Sequence, residues 1–318
     1  MVDETELDSN ASANVILRPM RARTPIFLGL ALTALVVTLG GQLTVPPVFL
    51  NHVQMVLPSP VYAEIRRSPF LKNEFSALDE HASTAQRDGL GAYTYTGIYL
   101  FGRHTYLECF ETGTVSRPGE SGPWQAGVVG FNLGIDDRSQ LPLLRDRFAA
   151  EAGEPARIDI TRRGTTNLPS YDSFSLASQK TYNAPGIDVS AIVKAYYADR
   201  ITLDKQRDKI YAPDRLLKDV TAATVTVNEA ELKNILELFR ACGYAIRKEG
   251  EKQIASGPEV TFTLLPEKPN TPRILALDLS LNREKTGEQT YKFSANSELQ
   301  FHGNSAKWTF TFPTERRP

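Results

Sequence analysis

The chain has 318 residues, 41% of them hydrophobic and 23% charged, so it is long enough to fold as two domains or as one composite domain. Its formal net charge of −1, with basic residues that occur singly or in pairs, gives no reason to expect nucleic acid or an anionic surface as a partner. With only two cysteines, Cys109 and Cys242, the chain is neither a disulfide scaffold nor a carrier of a CxxC metal motif. We expect separate buried thiols, because each cysteine lies on an apolar face of a different part of the chain.

The amino-terminal residues predict export or membrane attachment. A polar, acidic leader is followed by three arginines between positions 18 and 23, and residues 24–50 then carry no charge. A basic segment before an apolar one is typical of a signal peptide, and an apolar stretch extended to residue 45 would just reach the length of a membrane span. Because arginines stay on the cytoplasmic side, we expect the chain after Val45 to be periplasmic or extracellular, either released or anchored by residues 24–45. Met20 is an alternative start to Met1.

Three stretches of the chain share one order of elements: a strand, a helix start, an amphipathic helix and further strands. In the first, the strand LNHVQMVL is followed by Ser59-Pro60, which favours a helix start, and two later strands meet at the Gly102-Arg103 turn. In the second, AGVVGFNLGI precedes a helix with apolar residues at helical spacing. In the third, DVTAATVTV leads into a helix that stops at Gly243, a residue typical of the left-handed position after a helix.

This repeat, at a spacing of roughly eighty residues, predicts modules that pair, because each one alone would leave a face of its sheet bare. We expect the first two modules to pair and the third to pack at their end. The predicted divisions are a leader with a signal peptide or membrane anchor over 1–44, a first module over 45–115, a second module over 116–212 and a third, related α+β unit over 213–318.

Strand alternation predicts which side chains share a face of the sheet. The apolar positions of NHVQMVL alternate and should meet the helix, which leaves His52 and Gln54 on the opposite face. By the same rule, the strand TYLECFE turns Tyr106 and Glu108 to that face. Tyr99, from an alternating aromatic stripe on the preceding strand, is expected beside Tyr106. A half-polar, half-aromatic face is typical of a ligand-binding cleft and equally of a solvent-exposed sheet, so both interpretations stay open.

The order of elements resembles the vicinal oxygen chelate, or glyoxalase-like, superfamily, in which paired βαβββ modules form mixed sheets that curl around a cleft. The segments NHVQMVL, SPFLKNEF, YTGIYLFGRHTYLECF, DRLLKDV and KWTF resemble an uncharacterised bacterial family of glyoxalase-like proteins with no assigned activity. The resemblance spans residues 50–312 and implies an α+β fold of repeated βαβββ modules.

The resemblance also implies a candidate metal site. In metal-dependent relatives of the superfamily, the first and last strands of each module supply the ligands, which points to His52 and Glu108 in the first module. The second and third modules depart from the pattern, because counting back from their helix starts places Gly130 and Thr221 at the position of His52. A later strand offers Lys194, Ala195 and Tyr196 where a second carboxylate would be needed. Two protein ligands are fewer than the three or four that are typical, so a polar pair without a divalent metal ion is the alternative.

Three functions stay open at this point. The first is an exported small-molecule-binding protein that selects its ligand through His52, Gln54 and their neighbours on the polar face. The second is a metal-dependent lyase, isomerase or dioxygenase in which a divalent ion polarises vicinal oxygens of the substrate. The third is a structural or partner-binding envelope protein. No nucleic-acid partner is expected, and the membrane is expected to contact only the amino-terminal segment.

Residues outside this face offer no second set of catalytic groups. His81 and His104 are expected at the solvated surface, and His302 lies beside a turn. None of them has an obvious partner in the sequence, so a histidine-based nucleophile relay has no support. The sequence also contains no P-loop, GxGxxG, GxSxG or HExxH motif.

Overall fold

The structure, a computed structural model, describes residues 47–87, 91–116, 122–135, 138–152, 161–163, 171–175, 192–196, 211–267 and 273–312. The expected signal peptide or anchor over residues 24–45 lies outside the described residues. Within those ranges, no helix is both long enough and apolar enough to span a bilayer.

The first part of the described chain forms a βαβββ module. Its helix begins at Ser59 itself, with Pro60 in the first turn, and ends where Ser68 becomes extended. A π-helical turn then buries Leu71 and Phe75, so the apolar side of the helix continues beyond Ser68. The elements are β1 (Phe49–Leu57), α1 (Ser59–Arg67), the π-helical turn (Leu71–Phe75), β2 (Ala77–Arg87), β3 (Gly91–Phe101) and β4 (Tyr106–Glu111).

A second module extends the same sheet. β1 and β5 are antiparallel neighbours at the centre, and each has a parallel neighbour from its own module, β4 and β8 respectively. The first sheet is therefore mixed, with the order β2-β3-β4-β1-β5-β8-β7-β6. The elements of the second module are β5 (Val129–Ile135), a 3₁₀ turn (Arg138–Gln140), α2 (Leu141–Ala152), β6 (Thr161–Arg163), β7 (Tyr171–Ser175) and β8 (Ile192–Tyr196).

The remaining strands form a second eight-stranded sheet with the same relative order, β10-β11-β12-β9-β13-β16-β15-β14. In this sheet β13 and β16 are antiparallel, whereas β5 and β8 of the first sheet are parallel. The unit predicted as a single module over 213–318 thus contains two four-stranded halves, and residues 282–289, between β13 and β14, contain no helix. The elements are β9 (Leu217–Val227), α3 (Glu229–Ala241), β10 (Ala245–Glu249), β11 (Lys252–Ser256), β12 (Thr261–Pro266), β13 (Arg273–Leu281), β14 (Thr290–Lys292), β15 (Ser297–His302) and β16 (Ser305–Phe310).

This topology confirms the predicted α+β fold of repeated βαβββ modules with mixed sheets. Both sheets are open, because each order of strands has two ends that do not pair with one another. The repeat is complete in three of the four strand groups and lacks its helix in the fourth. The glyoxalase-like architecture is therefore present twice over in the described chain.

The two sheets share one hydrophobic core. Phe131 of β5 contacts Phe262 of β12, with ring centroids 4.7 Å apart, and both side chains are buried. Phe75 of the π-helical turn contacts Phe301 and Trp308 edge-on. The first module thus packs over the half of the second sheet that has no helix of its own. Large buried rings contribute much of the stability of such a core.

The two cysteines lie in this core as free thiols. Cys109 is on β4 and Cys242 directly follows α3, and both are fully buried and unpaired, which confirms the prediction of separate thiols. Burial raises the pKa of Cys242 to about 12. Burial, with a smaller effect of the Glu108 charge, raises the pKa of Cys109 well above its ordinary value.

We predict that neither thiol reacts with a thiol-directed disulfide reagent in the native protein at pH 8. The thiolate is the reactive form, and at that pH both groups hold their protons and are shielded from solvent. Both should react at once after unfolding in guanidinium chloride. Absorbance of the released leaving group checks this, and rapid labelling of one thiol without denaturant would contradict the buried positions.

Candidate functional site

The parallel pairing of β1 with β4 places four polar or aromatic side chains next to one another. In this register His52 is opposite Tyr106, and Gln54 is opposite Glu108. All four project from the face opposite α1, because the residues that alternate with them are buried in the shared core. Together with Tyr99 of β3, they are called the polar wall below. The alternation predicted from the sequence therefore brings all five predicted side chains to one face.

His52 and Glu108 lie in contact on the polar wall. His52 Nε2 is 3.5 Å from Glu108 Oε2, and Gln54 Nε2 donates to the same oxygen at 2.7 Å. The His52 ring stacks on Tyr106, with centroids 4.4 Å apart and an interplanar angle of 19°. Only 2% of the surface of His52 and 4% of that of Glu108 is exposed to solvent. These two side chains are therefore buried and do not lie on a solvent-exposed face of the sheet.

Asn51 determines which nitrogen of His52 carries a proton. Its Oδ1 lies 2.8 Å from His52 Nδ1, and a carboxamide oxygen only accepts hydrogen bonds, so Nδ1 is the donor. In a neutral ring, Nε2 then presents a lone pair on the side where the Glu108 carboxylate presents another. Two acceptors this close favour a positive group that both contact, either a proton or a metal ion.

Tyr99 connects Glu108 to the edge of the sheet. Its hydroxyl donates to Glu108 and accepts from Ser83, and burial, followed by the Glu108 charge, raises the pKa of Tyr99 well above its ordinary value. The hydroxyl therefore remains a donor. The His81 ring stacks on Tyr99 with centroids 4.3 Å apart, and Asp79 Oδ2 lies 2.7 Å from His81 Nδ1. His81 is exposed, as the sequence predicted, but it also contacts the polar wall.

Asn132 of β5 is a site residue that sequence reasoning missed. It lies directly opposite His52 in the antiparallel register and is fully buried. Neither Oδ1 nor Nδ2 of its amide has a hydrogen-bond partner among the residues that the structure describes. A buried amide left without partners costs about 1–3 kcal/mol, so Asn132 is a candidate contact for a polar group that the described residues do not supply.

The count along the chain names Gly130 as the residue of the second module that corresponds to His52, and the structure places Gly130 on β5 opposite Gln54. The other positions named by counting are not brought to His52. Thr221 is exposed on the second sheet, and Lys194 of β8 is in register with Gly134.

A second apolar cluster closes one end of the polar wall. Val56 and Phe110 continue the same face of β1 and β4, and Val115, Trp124 and Val128 cover them. A backbone hydrogen bond from Trp124 N to Val115 O, at 2.8 Å, holds this cover together. Water is therefore kept from that end of the wall, which strengthens the electrostatic interactions of the buried polar groups.

The side chains near His52 could donate to a metal ion, but few of them are histidine, cysteine, aspartate or glutamate, the usual metal ligands. Within the described ranges, no three histidine, cysteine, aspartate or glutamate side chains converge where an ion could bind. His52 Nε2 and Glu108 Oε2 are close enough for shared coordination, since donors with bonds of about 2 Å lie up to about 4 Å apart. Among the described residues, the amide oxygen of Asn132, which lies opposite His52 in the register, is a candidate third donor.

The described strands and helices form paired βαβββ modules, the arrangement expected from the resemblance to glyoxalase-like proteins. The chain belongs to the family of unknown function DUF5829, whose model matches residues 50–310. The predicted relation to an uncharacterised glyoxalase-like family is thereby confirmed. No curated protein matches the sequence.

Solved structures show a distant likeness in fold. The chain is similar to a hypothetical protein from Staphylococcus aureus, with a TM-score of 0.44 and 10% identity over 71% of this chain and 88% of that one. It is similar to a mutant of 4-hydroxymandelate synthase from Streptomyces coelicolor, with a TM-score of 0.38 and 13% identity over 72% and 70% of the chains. It is also similar to an extradiol ring-cleaving dioxygenase from B. fuscum, with a TM-score of 0.37 and 11% identity over 86% of this chain and 75% of that one.

We predict that Asn132→Val raises the free energy of unfolding of the ligand-free protein by about 1–3 kcal/mol, because it removes an unpaired buried amide. Urea denaturation followed by circular dichroism measures the change. Thr226→Val is the matched control, since the Thr226 hydroxyl on the second sheet is also buried without a partner among the described residues. A loss of stability in Asn132→Val, beside a gain in the control, would mean that the amide already has partners in the native protein.

Proposed function

We propose that the polar wall binds a small molecule that carries hydrogen-bonding groups. The observation that carries this proposal is Asn132, whose buried amide uses neither its donor nor its acceptor within the described part of the chain. Buried polar groups almost always have partners, so a ligand that satisfies this amide recovers the lost free energy. His52 and Glu108 add polar atoms beside it, and the rings of Tyr99 and Tyr106 add the apolar surface that ligand sites usually have.

The other residues of the polar wall hold these groups in place. Gln54 and Tyr99 both donate to the Glu108 carboxylate, which fixes its orientation and leaves acceptor capacity for a ligand. Stacking on Tyr106 fixes the plane of the His52 ring, and Asn51 fixes its tautomer. Such preorganisation lowers the entropy lost on binding.

The proton position on His52 favours a second candidate function, a metal-dependent lyase, isomerase or dioxygenase of vicinal oxygen chelate type. Histidines that bind metals usually donate their other N–H to a protein oxygen, as His52 does to Asn51. His52 Nε2, the Glu108 carboxylate and the Asn132 amide oxygen would supply one nitrogen and two oxygen donors, a set that fits a divalent ion. When bound, such an ion would polarise two adjacent oxygens of a substrate. In this function Gln54 and Tyr99 would orient the carboxylate ligand.

Metal and ligand binding by protein purified without a histidine tag test these proposals. Unfolding temperature is measured with a metabolite library and, separately, with Mn²⁺, Fe²⁺ or Zn²⁺ alone, for the wild type and for His52→Ala. We expect at least one metabolite to raise the unfolding temperature of the wild type and to have no effect on His52→Ala. A ligand at a hundred times its Kd stabilises the native state by about 2.7 kcal/mol, which such a scan detects. His302→Ala, an exposed histidine of the second sheet, is the control that should behave as wild type.

The outcomes separate the candidate functions. Metal above trace amounts in the wild type, lost in both His52→Ala and Glu108→Gln, supports the metal-dependent enzyme. A metabolite effect without metal supports the binding protein. If neither metals nor metabolites change the unfolding temperature, both proposals are contradicted and a structural or partner-binding envelope protein is favoured.

We also propose that the protein works outside the cytoplasm, released from the membrane or anchored to it by residues 24–45. The support is the order of charge in the sequence, arginines before a long uncharged and largely apolar stretch. Cell fractionation and the mass of the mature chain test this. A full-length chain that stays in the cytoplasmic fraction would contradict export.

A further inference from the structure

We infer that Asp219, which belongs to the second sheet, is a positioning residue for Tyr106 and Glu108 of the polar wall in the first sheet. The functional meaning of this inference rests on the proposed function, but the geometry that it describes does not. Asp219 lies near the start of β9, and β4, with Tyr106 and Glu108, follows the turn after β3.

Asp219 binds the chain immediately before β4. Its Oδ1 accepts hydrogen bonds from the backbone N–H of His104 at 2.7 Å and of Thr105 at 2.9 Å, and from the Thr105 hydroxyl at 3.3 Å. Its Oδ2 lies 3.3 Å from His104 Nδ1. The Thr105 hydroxyl in turn accepts from the backbone N–H of Val220 at 2.8 Å. A carboxylate that accepts several donors forms stronger hydrogen bonds than a neutral group.

Backbone hydrogen bonds also hold the turn between β3 and β4 against β9. Arg103 N donates to Lys218 O at 2.6 Å, and Gly102 N closes the turn by donating to Thr105 O at 2.9 Å. A Cβ atom at Gly102 would collide with Lys218 O and would also come too close to Thr105 O. The turn therefore approaches β9 as closely as a backbone without a side chain allows, which is a position that requires glycine.

These contacts affect the polar wall because β4 starts at Tyr106, the residue directly after Thr105. Tyr106 follows Thr105 and stacks on His52, and Glu108 lies two residues further along the same strand. Without Asp219, two backbone N–H groups and a hydroxyl at the start of β4 lose their acceptor. The first residues of β4 would then move, and the Tyr106 ring and the Glu108 carboxylate would move with them.

The second sheet offers a matched carboxylate for comparison. Asp278 of β13 also lies on the second sheet, but its side chain contacts Lys307 of the neighbouring strand, with Oδ1 and Nζ 3.0 Å apart, and not the β3–β4 turn. Removing this carboxylate changes the charge of the second sheet by the same amount. An effect seen on removing Asp219 but not on removing Asp278 is therefore caused by the contacts of Asp219 with the turn before β4, and not by the loss of a negative charge.

The test is nuclear magnetic resonance of the full chain without ligand, with labelled histidine rings and glutamine side-chain amides. The sequence contains four histidines, so the His52 signals can be assigned from variants of the other three. In the wild type, the stacked Tyr106 ring displaces the His52 ring protons upfield, and the hydrogen bond to Glu108 displaces the Gln54 amide downfield.

We expect Asp219→Ala to move both sets of signals towards the positions of exposed side chains, and Asp278→Ala to leave both unchanged. Asp219→Asn should restore the wild-type positions, because its amide oxygen still accepts the donors of the turn. A merely structural loss of stability would not move the His52 and Gln54 signals of the folded protein.

A folded Asp219→Ala protein with unchanged His52 and Gln54 signals would overturn the inference, and so would equal shifts in Asp278→Ala. If Asp219→Ala does not fold, Thr105→Val removes one of the same contacts and should move the signals in the same direction, by a smaller amount. Unchanged signals in that variant would also overturn the inference. Because no ligand is present, this result is independent of whether the polar wall binds a small molecule.

Discussion

The parallel register between β1 and β4 is the constraint on which the candidate site depends. Alternate residues of these strands enter the shared core, and the others form the polar wall. A slip of one residue in either strand would bury a charged or polar side chain in the core and turn an apolar one away from it. The packing of α1 and the docking of the β3–β4 turn on β9 therefore maintain the contact between His52 and Glu108 as well as the fold.

Alternation within a strand is a local property, and the sequence predicts it well. The faces of His52, Gln54, Tyr106 and Glu108 followed from the apolar residues between them, and so did the position of Tyr99. Which residues of two modules pair with one another depends on the length and geometry of the segments that connect their strands. The alternation of apolar and polar residues does not predict this. Asn132 was missed for that reason, although a polar residue within the otherwise apolar strand VVGFNLGI was a usable signal.

The division of the carboxyl-terminal unit was missed for a related reason. Residues 282–289 have no apolar residues at helical spacing, so the repeat was not recognised where its helix is absent. The structure shows what replaces that helix: Phe70, next to the π-helical turn of the first module, stacks on Tyr291 with centroids 3.6 Å apart. Lys285 Nζ lies 5.7 Å from the centroids of both rings. Such a contact between distant parts of the chain leaves no periodic pattern in the sequence.

Asn132, beside the polar wall, is buried without a hydrogen-bond partner among the described residues, and residues that lower stability in this way are most often found where a protein binds or reacts. A crystal structure of the full chain, at a resolution that shows ordered solvent, tests this view most directly. The account predicts density for a water, an ion or a small molecule within about 3.2 Å of the Asn132 amide and in contact with His52 or Glu108. Asn132 paired only with other protein groups, with nothing bound beside it, would contradict the account.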